Sequence, residues 1–198
     1  MNLPNKLTIL RIILVLFMII INFFSIPGEL LGVPTNAWIL ELIFIIASIT
    51  DHFDGKIARE RKQITTFGKF LDPIADKILV ITTLIILVEN GKIPGWIPII
   101  IVFREFIVSG YRLIAVQNGG EVIAANIWGK IKTVTQMIAI IIALVDTNKF
   151  GAIFTNNMEV IPFFINLLST LMMIICVIAT IFSGWTYLKG GKELLKDR

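Results

Sequence analysis

The chain has 198 residues, 56% of them apolar and only 16% charged, against about 45–50% and about 25% in ordinary soluble domains. That balance excludes a soluble single domain, a disordered chain and a small disulfide scaffold, and the one cysteine, Cys176, has no second thiol to pair with. A net charge of +4 in so apolar a chain points to loops lying against an anionic lipid surface and not to nucleic acid.

Crossing ~30 Å of hydrocarbon takes about 20 apolar residues in a helix. Six segments approach that length: Leu7–Ile26, Ala37–Thr50, Leu71–Val88, Trp96–Val116, Trp128–Val145 and Val160–Tyr187. The second is short unless its helix runs on past Asp51 towards Ala58. Between them lie chain breakers: Ile26-Pro27-Gly28 with Val33-Pro34, Asn90-Gly91 with Pro94-Gly95, Asn118-Gly119-Gly120, and Thr155-Asn156-Asn157. The first segment is too long for a signal peptide and has no small-residue cleavage site, so it reads as a retained span. The expectation is an all-α integral membrane protein of six transmembrane helices forming a single domain over 1–198.

Six spans put both termini on one side. The loops of that side (1–6, 56–69, 112–132 and 189–198) carry 13 of the 18 basic residues; the opposite loops carry Lys92 and Lys149, and Arg11, Lys77 and Arg104 fall inside apolar spans. The positive-inside rule therefore predicts a cytoplasmic membrane protein with both termini, and the loop joining spans two and three, facing the cytoplasm.

That loop holds the densest chemistry. Asp51 and Asp54 are spaced i, i+3, and Asp72 and Asp76 i, i+4, so each pair shares one helix face. Four carboxylates gathered where an apolar segment meets a polar loop are unfavourable unless cations neutralise them. Oxygen-only ligands predict Mg²⁺ or Mn²⁺, and two divalent ions would balance the four charges. His52 reads as a packing residue. Gly55 and Ala58 continue the face of Asp51 and Asp54, leaving bare backbone for a flat ligand or for helix packing. Arg59 is placed for an anion held by the metals, whereas Arg61 and Lys62 read as a solvated loop.

The spacing D-x2-D-G-x2-A-R-x8-G-x3-D-x3-D, filled by Asp51, Asp54, Gly55, Ala58, Arg59, Gly68, Asp72 and Asp76, resembles the signature of the CDP-alcohol phosphotransferases. Eight fixed positions match by chance with a probability on the order of 10⁻¹⁰ per starting point. The opening Asn2–Arg11, the stretch from Arg104-Glu105 to Arg112, and Gly129–Thr133 are also similar to bacterial members of that family that make phosphatidylglycerol phosphate. The resemblance implies the six-helix fold of that family, a homodimer and two metal ions at a cytoplasm-facing cavity. It implies transfer of the phosphatidyl group of CDP-diacylglycerol to an alcohol, with release of CMP. It makes Asp51, Asp54 and Asp72 ligands of one metal, Asp51, Asp72 and Asp76 ligands of the other, and Asp76 the general base. It also puts Gly55, Ala58, Arg59, Thr65 and Gly68 at the CDP-lipid site, with Asn5 and Thr8 approaching from the first helix.

The acceptor is read from cations. Arg104 lies inside an apolar span and Arg112 near its cytoplasmic end, and an intramembrane arginine is a functional signal. Together with Lys130 and Lys132 they suit an acceptor carrying its own phosphate, and glycerol 3-phosphate fits. A Glu105–Arg112 ion pair between helices, and lysines serving only as positive-inside anchors, are the competing readings. Sister acceptors (inositol phosphate, serine, phosphatidylglycerol) are the nearest alternative. A divalent-cation transporter is a more distant one, since it would spread acidic groups across the bilayer depth. Lys77 tunes the carboxylates or snorkels. Met172, Met173, Trp185 and Tyr187 in the last span read as lipid-facing or interfacial side chains.

Overall fold

The computed structural model describes residues 2–24, 26–60, 66–117 and 127–190. Six α-helices follow one another: α1 (Leu3–Phe23), α2 (Thr35–Glu60), α3 (Thr66–Glu89), α4 (Trp96–Gln117), α5 (Ile127–Val145) and α6 (Val160–Gly190). They coincide with the six apolar segments, and α2 does run on through Asp51. Among the described residues α1, α5 and α6 are long and apolar enough to cross a membrane. The other three carry most of the ionisable residues singled out above, yet they too expose large apolar side chains, among them Leu42, Ile46, Ile85, Ile99 and Phe103. So many exposed large apolar side chains are out of place in water, and the protein is a membrane protein.

The breakers between α1 and α2 do more than end a helix. They form a short antiparallel hairpin, β1 (Glu29–Leu30) and β2 (Val33–Pro34). Its two turn residues, Leu31 (φ 56°) and Gly32 (φ 75°), both lie in the left-handed region that a tight two-residue hairpin turn requires. At the end of α3, Gly91 (φ 69°) takes the left-handed cap position: its N–H donates to the Val88 carbonyl and that of Lys92 to the Leu87 carbonyl, both at 2.9 Å. This is the hydrogen-bond pair of a Schellman cap. It turns the chain so that Lys92 Nζ donates to the Leu144 carbonyl at 2.5 Å.

The helices sort into two compact units: Met1–Lys92 with Ala143–Thr147, and Ile93–Ile142 with Asn148–Arg198. In the first, α1 packs on α2 and α3. The buried face of α1 runs Asn5, Thr8, Arg11, Val15, Met18, at helical spacing: polar in the N-terminal half, apolar beyond. In the second, α4 packs on α6, and Trp128 of α5 stacks on Phe182 of α6 at 5.2 Å between ring centroids. Met173 and Tyr187 are buried, at 1% and 2% exposure, while Trp185 is exposed. The lipid-facing reading of Met173 and Tyr187 is therefore corrected: both sit on the face of α6 that turns inward.

Candidate active site

In the first unit the carboxylates are met by the polar half of α1. Thr8 Oγ1 donates to Asp72 Oδ1 at 2.6 Å. Arg11 Nη1 pairs with Asp51 Oδ1 at 2.8 Å, and Arg11 Nε donates to the Ala47 carbonyl at 3.3 Å. Arg11 is wholly buried whereas the Asp51 side chain is 38% exposed, so the cation lies behind the anion. Asp76 is half-buried and engaged with a neighbour, as is Lys77; Gly68 and Asn5 are buried and likewise engaged. Between the two α3 aspartates Pro73 lies inside the helix. Lacking an N–H, it cannot donate to the Lys69 carbonyl four residues back.

Arg11 is the residue that the sequence pattern leaves without a task, since there it reads only as one of the basic residues inside spans. Its signal is nevertheless present, because it follows Asn5 and Thr8 at i, i+3, i+6 in an otherwise apolar helix. The side chains of Asp54, Gly55, Ala58 and Arg59 and the whole of Thr65 lie outside the described residues, although α2's backbone is helical through Glu60. Among the described residues no three His, Cys, Asp or Glu side chains come together to hold an ion. The donor set fits a hard divalent cation in kind: Asp51, Asp72 and Asp76 offer oxygen only, on helices of one unit, with Asp51 open to solvent on one side.

In the second unit the cations assemble around one carboxylate. Glu105 Oε1 accepts from Arg104 Nη1 at 2.9 Å and from Lys132 Nζ at 2.5 Å. Arg104 Nη2 donates to Ser183 Oγ of α6. Arg112 instead turns to α6: its Nη2 donates to Tyr187 Oη at 2.8 Å. The Glu105–Arg112 pair considered from the sequence thus gives way to Glu105 with Arg104 and Lys132. Gly129 and Gly184 flank Arg104 closely: a Cβ at either would lie in ordinary van der Waals contact with it, at 3.7 Å from Nη2 and 3.4 Å from Cγ respectively. Lys132 is buried to 6% exposure and is no surface anchor, while Lys130 and Arg112 are exposed. Among the described residues, four cations against one carboxylate leave this end of the unit strongly positive.

The profile of the CDP-alcohol phosphatidyltransferases matches residues 1–185. The chain belongs to that family. It is 42% identical over 202 residues to the CDP-diacylglycerol–glycerol-3-phosphate 3-phosphatidyltransferase of Bacillus subtilis, covering 98% of this chain and 97% of the relative. It is 36% identical to the enzyme of the same name from Haemophilus influenzae, covering 99% and 96%. A probable phosphatidylglycerophosphate synthase of Mycobacterium tuberculosis is 41% identical over 139 residues, 70% of this chain and 64% of the relative. As a member of the family, this protein is a membrane-bound phosphatidyltransferase.

Proposed function

We propose that this phosphatidyltransferase moves the phosphatidyl group of CDP-diacylglycerol onto glycerol 3-phosphate, giving phosphatidylglycerol phosphate and CMP. Beyond the relatives, one observation carries the choice of acceptor: Arg104, Arg112, Lys130 and Lys132 gather on α4 and α5 of one unit, with Glu105 the carboxylate among them. An acceptor that brings its own phosphate suits so positive a site; serine does not.

In this reading the acceptor hydroxyl oxygen attacks the phosphorus that bears the diacylglycerol. A new P–O bond forms, the bond to the bridging oxygen breaks, and CMP leaves with that oxygen. Asp76 takes the hydroxyl proton. Thr8 fixes one oxygen of Asp72 and Arg11 one oxygen of Asp51, which holds those carboxylates in position. Asn5, Thr8, Gly55, Ala58, Arg59, Thr65 and Gly68 bind the CDP-lipid. Arg112 and Lys130, exposed as they are, meet the acceptor's phosphate, while Arg104 and Lys132 hold the field positive from behind. Asp51, Asp54, Asp72 and Asp76 would hold two Mg²⁺ or Mn²⁺ ions, which when bound neutralise the charge of the diphosphate. The whole of 1–198 acts as one domain, with six spans, both termini and the carboxylates on the cytoplasmic side, and works as a homodimer. The exposed apolar faces of α2, α3 and α4 support the six-span reading.

The test is purified protein in detergent with CDP-diacylglycerol, Mg²⁺ and, separately, glycerol 3-phosphate, inositol phosphate and serine, the lipid product being identified by mass. Phosphatidylglycerol phosphate formed from the first acceptor alone is the expected result. A product from another acceptor with none from glycerol 3-phosphate overturns the assignment.

A further inference from the structure

Tyr187 has no part in the chemistry above, yet it is the side chain of α6 on which both α4 arginines meet. The carbon at the centre of the Arg104 guanidinium lies 5.7 Å from its ring centroid and that of Arg112 lies 5.5 Å away, both within the ~6 Å over which an aromatic ring attracts a cation. Its hydroxyl accepts from Arg112 Nη2. At 2% exposure it is held rigidly among its neighbours, and a buried tyrosine that presents both face and hydroxyl loses little freedom in doing so.

The two arginines are not equivalent. Nη1 and Nη2 of Arg104 are taken by Glu105 and Ser183, and its buried Nε has no acceptor among the described residues. Arg112 is exposed and, among the described residues, has one N–H on Tyr187, which leaves donors of its five-donor fork for a bidentate hold on a phosphate. A guanidinium at the end of a long, exposed side chain is otherwise free to sample many rotamers, and ordering it on binding weakens the site. A ring face and a hydroxyl that fix it beforehand remove that loss.

We propose that Tyr187 is a positioning residue of the acceptor site: it clamps Arg112, with Arg104 on the same ring, so that Arg112 meets the acceptor's phosphate already oriented. The inference rests on the reading that these cations bind that phosphate. Tyr187→Phe removes the hydroxyl and keeps the ring; Tyr187→Leu removes both. KM for glycerol 3-phosphate rises about fivefold in the first, where a charge-assisted hydrogen bond is removed, and about fiftyfold in the second, where the attraction of the ring for the guanidinium goes as well. KM for CDP-diacylglycerol and kcat stay within about twofold. In an Arg112→Ala background, Tyr187→Phe has no further effect on the acceptor KM, because its partner is gone.

The outcomes separate. If Arg112→Ala leaves the acceptor KM unchanged, the acceptor reading falls and the clamp with it. If Arg112→Ala raises that KM while Tyr187→Phe and Tyr187→Leu do not, the clamp alone is overturned. The same holds if the tyrosine variants raise both KM values together, as a merely structural residue would. Should Tyr187→Leu fail to fold, judged by an absence of CDP-diacylglycerol binding, the Phe variant decides by itself.

Discussion

The carboxylate end of the first unit and the cationic end of the second are built on one plan with the signs reversed. In the first, Asp51 stands towards solvent and a fully buried cation, Arg11, stands behind it. In the second, Arg112 and Lys130 stand towards solvent and Glu105 lies inside, holding Lys132 and the largely buried Arg104. Each end thus exposes the charge that a substrate or ion would meet and buries a counter-charge to steady it. The burial is unequal, however. Removing Arg11 leaves an aspartate that water can reach, whereas removing Glu105 leaves two cations that it hardly can. An uncompensated buried charge is what proteins tolerate least.

The largest effect expected from that contrast is catalytic. Asp51→Asn and Asp72→Asn should each lower turnover below about one-thousandth of the native rate, the loss that follows when several kcal/mol of charge stabilisation disappear. Both proteins should still insert; Asp72→Asn should melt near the native temperature and Asp51→Asn below it, because the wholly buried Arg11 loses this counter-charge. Excess chelator should reproduce the loss of turnover in the native chain. Near-native turnover in either variant would remove the carboxylates from the reaction.

Next comes the asymmetry itself. Glu105→Ala should destabilise the folded protein by about 3–5 kcal/mol, since Arg104 and Lys132 are left without their shared counter-charge in a buried setting. Arg11→Met should cost about 1 kcal/mol or less in stability, because its partner is exposed enough to be solvated, while activity falls sharply as Asp51 loses its support. Thermal melts in detergent, read beside turnover, would separate the two. Equal losses of stability would break the comparison.

Third, Arg112→Ala should raise KM for glycerol 3-phosphate about ten- to a hundredfold, the range of a charge-assisted hydrogen bond to a phosphate, with only a small fall in melting temperature from the freed Tyr187 hydroxyl. Arg104→Ala should raise KM and lower the melting temperature clearly, since it takes one of two cations from Glu105 and the donor from Ser183. The two variants thus distinguish the exposed cation from the largely buried one by a pair of simple measurements.

The smallest effect concerns a third interior charge. Lys92, in the connector after α3, has its ammonium pushed down from 10.5 to about 8 by burial, against the opposing pull of Asp146 and Glu41. The folded form therefore releases this proton before the unfolded form does. Between about pH 8 and the ordinary lysine value the unfolded chain binds more protons, so stability rises with pH across that window and the strain of the charged form is fully felt below it. The melting temperature of the native protein should climb relative to Lys92→Met between pH 8 and 10. A flat difference would mean that Asp146 and Glu41 compensate the charge completely.

The helices are legible in the sequence because long apolar runs declare themselves, and among the described residues the Gly and Pro breakers between those runs fall where the chain turns; Asn118-Gly119-Gly120 lies outside the described residues. The hairpin at Glu29–Pro34 is not, since it depends on Leu31 adopting a left-handed backbone that a leucine ordinarily avoids. The carboxylates can be found because their spacing repeats on helix faces. The partners of the cations are harder: Glu105 could reach along its own helix or across to another, and only the packing around α4 decides for Arg104 and Lys132. Ser183 and Tyr187 give no sign at all, being a small residue and an aromatic in the most apolar helix, where lipid contact is the simpler reading.

The last helix is longer than a bilayer needs. Its 31 residues extend about 46 Å, against ~30 Å of hydrocarbon. Arg104, which donates to Ser183 and lies against Gly184, is eight residues and about 12 Å along α4 from Trp96, so a bilayer that α4 enters at Trp96 still surrounds the level of Ser183. The surplus length of α6 is then taken up by tilt or by extension past the hydrocarbon at its Val160 end. The ring that gathers the arginines is thereby screened from water on the sides that face lipid, where the attraction of a ring for a cation is strongest.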